Sequence, residues 1–110
     1  MSFFDEVMLP LLTDDLRKPE FRGNPNPVAG HCYIVAEALY HWLHGFMVKP
    51  MFIRHDGQSH WFLWDVMTNS PIDPTASQFK TPVPYEKARG KGFLTKFPSK
   101  RAQYLMERMP

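Results

Sequence analysis

From Gly30 to His44 the apolar positions Ile34, Val35, Ala38, Leu39, Trp42 and Leu43 recur at spacings of three, four and seven to eight, which describes one broad helical face. Gly45 follows as a C-terminal stop, and the face is rich enough to form the centre of the core. Pro50 to Arg54 and Ser59 to Val66 have the aromatic and β-branched character of strands, with His55-Asp56-Gly57-Gln58 between them as a turn. Thr68-Asn69-Ser70-Pro71 reads as a second turn, leading to a short strand that ends Ile72-Asp73-Pro74. Ahead of the main helix, Ser2 and Asp5 predict a capped short helix over Phe3 to Leu9 that Pro10 kinks or ends. Thr13 and Asp14 cap a further turn, and Lys18 to Pro27 reads as a loop. Pro82 and Pro84 exclude a central strand from Thr81 to Gly92. A last helix over about 98–109 opens at Pro98 and carries an apolar stripe of Ala102, Leu105, Met106 and Met109. A helix followed by antiparallel strands predicts an α+β domain, with the N-terminal central helix packed on one face of a small sheet.

A length of 110 residues matches one domain, and 11 prolines argue against a helical bundle. With one cysteine there is no internal disulfide, and the opening Met1-Ser2-Phe3-Phe4-Asp5-Glu6 is acidic where a secretory signal would be basic, so the expectation is a soluble cytoplasmic protein. No apolar run approaches the roughly 18 residues that a membrane span needs. Charge is uneven: residues 1–79 carry 5 Lys/Arg against 9 Asp/Glu, net −4, whereas residues 80–110 carry 8 against 2, net +6. Lys87, Arg89, Lys91, Lys96, Lys100 and Arg101, interleaved with Tyr85, Phe93 and Phe97, form a basic segment able to attract nucleic acid or an acidic protein, although such a run more often only faces water.

The single thiol, Cys32, falls in the first turn of the main helix, where the macrodipole and unpaired backbone N–H groups favour a thiolate. A lone cysteine is more often inert core. His60 alters that balance: it starts a strand beside Trp61, Phe62 and Trp64, which would fix and desolvate an imidazole, and a cysteine nucleophile needs such a base. The base in turn needs an orienting partner. Asp73, thirteen residues on, is the preferred one; a turn centred on Asn69 would set it across from Asp65, short of His60 unless a bulge shifts the register. Asp65 is the rival, but a separation of five puts it on the opposite sheet face from His60. His31 adjoins Cys32 and would point elsewhere. His41 and His44 share a helix face at a spacing of three, yet with no clear third ligand the pattern implies neither a metal nor a cofactor.

The order of a Cys at a helix start, a His on a strand and an Asp before Pro-Thr resembles the papain-like superfamily, in particular its transglutaminase-like branch. The elements here are Cys32, His60-Trp61-Phe62 and Asp73-Pro74-Thr75. Gly30-His31-Cys32 and Asp73-Pro74-Thr75-Ala76-Ser77-Gln78-Phe79 are similar to the Gly-x-Cys helix and the Asp-x-Thr-x-x-Gln-Phe ending of the small YunG-like family of bacteria and phages. The resemblance covers about residues 28–80. It implies a papain-like core and acyl transfer on a peptide, protein or small amide: Cys32 attacks a carboxamide to form a thioester, His60 shuttles the proton and Asp73 holds the imidazole. It also implies an auxiliary oxyanion donor six residues before the nucleophile, where Asn26 stands; a loop Asn capping a turn is the competing reading. Gln78 belongs to the same family pattern, with a structural corner as its alternative.

Overall fold

A computed structural model describes residues 3–109. Two α-helices, α1 (Cys32–Trp42) and α2 (Lys100–Arg108), accompany a four-stranded antiparallel sheet made of β1 (Val48–His55), β2 (Gln58–Asp65), β3 (Ser70–Ile72) and β4 (Arg89–Gly90), in the order β3-β2-β1-β4. The α+β expectation holds. Among the described residues no helix is long and apolar enough to cross a membrane.

The β1–β2 hairpin forms where the Asp-Gly pair allows it: Asp56 and Gly57 both have positive φ (51° and 74°), as a two-residue turn matched to strand twist requires. Alternation along β2 then sorts its side chains onto two faces. Trp61 and Leu63 join Ile34, Val35 and Leu39 of α1 and Ala102 and Leu105 of α2 in the main buried cluster. On the opposite face Phe62 packs with Met51, Ile53 and Val83, covered by Phe79, Tyr85 and Ala88. His60 belongs to this second face, stacked beside Phe62 and edge-on to Phe79. The expected Trp61 contact is absent because a period of two sends neighbouring residues to opposite sides; Trp61 instead meets Tyr33, Phe52 and Phe93.

Several boundaries differ from the sequence expectation. Phe4–Met8 is helical but π-wound, and Pro10 lies inside the tight turn Leu9–Leu11 that follows; Ser2, the predicted cap, lies outside the described residues. Thr13 precedes the turn Asp14–Leu16 without capping it, its hydroxyl donating to Asp15 instead. Helix α1 stops at Trp42 in a Schellman arrangement, Gly45 N–H to Tyr40 C=O and His44 N–H to His41 C=O, with His44 itself in the left-handed region (φ 56°). His44 is therefore beyond the helix, and the shared His41/His44 face does not exist. The edge strand β4 was not predicted: its two residues pair with Met51 and Phe52, a rung too short to leave a sequence signature.

Buried Glu37, in the middle of α1, is the main surprise of the core. Its carboxylate accepts from the Ser99 backbone N–H (3.1 Å) and hydroxyl (2.7 Å), while Ser99 Oγ accepts from Ala102 N–H as the cap of α2. The Glu37 carboxyl thus caps the start of α2, which fixes one helix to the other.

Candidate active site

Cys32 begins α1 because the chain turns sharply just before it. Gly30 has φ 79°, and a Cβ there would lie 2.6 Å from Phe21 Cβ, so only glycine allows both the turn and the close pass of the preceding loop. That loop is held by buried Arg17, which donates to the carbonyls of Asn24 (2.7 Å) and Asn26 (2.8 Å) and to Asp14 (3.0 Å). The N–H groups in the first turn of α1 have no preceding helical carbonyl to receive them.

The Cys32 thiol donates to the Ser59 carbonyl at 3.8 Å, and its proximity to the imidazole helps to raise the His60 pKa. The meeting is possible although His60 faces away from α1, because β3 pairs only with Leu63 to Asp65, leaving the start of β2 without a neighbour on that side. His60 Nε2 lies 2.7 Å from Asp73 Oδ2, with the imidazole fully buried and the carboxylate 3% exposed. Burial alone would lower the His60 pKa; the hydrogen bond to Asp73, then that to Cys32 and the charges of both, outweigh it and raise the value to about 9. Asp73 Oδ2 also accepts from the Tyr85 hydroxyl at 2.9 Å, and desolvation together with that carboxylate pushes the phenol pKa upward. Tyr85 belongs to the basic segment in sequence, and no spacing rule ties it to Asp73.

Asp73 rather than Asp65 is the partner. The observed register sets Leu63 opposite Ile72 and Asp65 opposite Ser70, so Asp73 continues past Phe62 on the same face as His60. The turn falls earlier than predicted, over residues 66–69, where Asp65 Oδ1 accepts from the N–H groups of Met67 and Thr68. Gln78 Nε2 lies 3.4 Å from His60 Nδ1 and donates to Thr75 O (3.1 Å). Asn26 lies outside this group: its Nδ2 donates to Ser77 O (3.0 Å) and its Oδ1 accepts from Val28 N–H, so it caps its own turn and clasps the Gln78 turn. His31 is a core histidine, fully buried, its Nε2 donating to the Thr13 carbonyl at 3.0 Å and its pKa lowered by desolvation. No group of three or more His, Cys, Asp or Glu among the described residues is arranged to hold a metal.

Cys32 is only 4% exposed. A cleft of about 300 Å³ opens between Lys18, Glu20 and Phe21 of the preceding loop and Arg54, Gly57 and Ser59 of the hairpin, reaching the residue whose carbonyl takes the thiol. Comparison of the chain with protein-family models, curated proteins and solved structures found no match.

Proposed function

We propose that the chain is a small cysteine amidase or acyltransferase of papain-like or transglutaminase-like type, working through Cys32, His60 and Asp73. The observation that supports it is the continuous chain of contacts from the Cys32 thiol to the imidazole and on to a buried carboxylate at 2.7 Å. An imidazolium held by Asp73 is the partner a thiolate needs. The Cys32 sulfur adds to an amide carbon, the C=O electrons moving to oxygen. The C–N bond then breaks as His60 gives its proton to the departing nitrogen, leaving a thioester. Water, or an amine in the transferase case, loses a proton to His60 as it attacks, and C–S cleavage restores the sulfur. The Cys32 N–H and the Gln78 side-chain amide are the oxyanion donors in this reading, and Asn26 supports Gln78 through Ser77. Tyr85 positions Asp73. A free thiol of this kind suits a reducing compartment such as the cytoplasm.

The burial of all three groups favours one alternative, a binding module that keeps this shape without turnover. Ammonia or amine release from a panel of glutamine and peptide amides, with hydroxylamine capture of the thioester as a hydroxamate, separates the two. The amidase reading expects release that Cys32→Ser abolishes; no release from any member, or release that survives Cys32→Ser, rejects it.

A further inference from the structure

Residues Arg54, Lys87 and Arg89 come from separate elements, yet they converge on one cleft of about 520 Å³ whose floor is Phe52, Ile53 and Pro84. It exists because β4 accompanies β1 only at Met51 and Phe52; from Ile53 onward the Tyr85–Lys87 turn stands off from the strand and leaves a gap. Two of these cations are placed rather than loose. Arg54 donates to Ser59 Oγ (3.1 Å) and Gly57 O (2.8 Å), and Arg89 lies over the Phe52 ring. Arg54 is also the wall shared with the smaller cleft that reaches Ser59, and Ile53 is the register partner of His60. The two clefts therefore share Arg54, and the smaller one is lined by Ser59, the residue whose carbonyl takes the Cys32 thiol.

We propose that this cleft binds an acidic peptide segment, so that the amide presented to Cys32 belongs to a chain carrying Asp or Glu a few residues away. Three positive groups around one apolar floor complement paired carboxylates. Nucleic acid fits less well: of the aromatics interleaved with the basic residues, Tyr85 donates its hydroxyl to Asp73 and Phe93 is packed against Tyr33, Tyr40 and Trp61, which leaves only Phe97 free to stack. The proposal deepens the amidase reading and rests on it for the fate of the bound chain.

Binding is tested without turnover, on the Cys32→Ala protein, by fluorescence anisotropy with a labelled glutamine peptide flanked by two glutamates, its lysine-flanked counterpart and a labelled oligothymidylate. The glutamate peptide is expected to bind at least tenfold more tightly than either, and the Lys87→Glu/Arg89→Glu pair to weaken it at least tenfold. Lys96→Glu, half that change in charge and at a residue of another cleft, is expected to alter it less than twofold. Equal losses from Lys96→Glu and the cleft pair, no preference for glutamate over lysine, or tighter binding of the oligothymidylate overturns the proposal. Since Cys32 is absent from the assay, none of these outcomes bears on the amidase reading, which fails separately if the wild-type chain releases nothing.

Discussion

Replacing Asp73 by Asn removes the negative charge beside His60 while keeping an oxygen in reach, so it isolates what the carboxylate does. In the wild-type fold the imidazole is buried, which by itself disfavours its charged form; Asp73 first and Cys32 second reverse that and bring the pKa from 6.5 to about 9. At ~1.4 kcal/mol per unit, the shift corresponds to stabilisation of the imidazolium on the order of 3 kcal/mol. Because the folded value lies above the unfolded one, this contribution to stability is complete below pH 6.5 and is lost as pH climbs through about 9. NMR titration of the His60 ring should give a midpoint near 9 in the wild type and at or below 6.5 in Asp73→Asn. Urea unfolding at pH 6 and pH 9.5 should show the wild type losing on the order of 3 kcal/mol more than the variant. A wild-type ring that titrates near 6.5, or a midpoint that Asp73→Asn leaves in place, refutes the assignment of Asp73.

Glu37→Ala should cost about 1–3 kcal/mol in urea unfolding, since it strips the Ser99 N–H and hydroxyl of a buried acceptor, whereas a solvated helix glutamate would cost little. Gly30→Ala combines a positive φ with a 2.6 Å approach to Phe21. It should destabilise by at least ~1 kcal/mol and open the Lys18–Pro27 loop to limited proteolysis, with cleavage sites read by mass spectrometry.

Local patterns were legible wherever a short stretch decides its own structure. The α1 periodicity, the Asp56-Gly57 hairpin and the α2 stripe needed no distant partner. The juxtaposition of Cys32, His60 and Asp73 was also anticipated, because the helix start and the strand order place them near one another. What escaped was set by contacts far along the chain. Asp65 holds the turn over residues 66–69, earlier in the chain than expected, and so sets itself opposite Ser70 rather than Asp73, which carries Asp73 on toward His60. A glutamate on the buried side of a helix looks like an error until Ser99, 62 residues later, receives it. Asn26 stood at the right spacing from Cys32 for an oxyanion donor, but spacing does not say where an amide points, and the Ser77 carbonyl takes it. The Tyr85 hydroxyl, read as one of a set of stacking surfaces, faces a carboxylate instead.

The central claim is that one imidazole makes one sulfur reactive. The rate of Cys32 alkylation by iodoacetamide, followed from pH 5 to pH 9 in the wild type and in His60→Ala, measures this directly. Fast alkylation at neutral pH is expected in the wild type and a large loss of that rate in His60→Ala, the rate recovering only as pH rises toward the pKa range of a free thiol. Equal rates in both proteins across the range would contradict it.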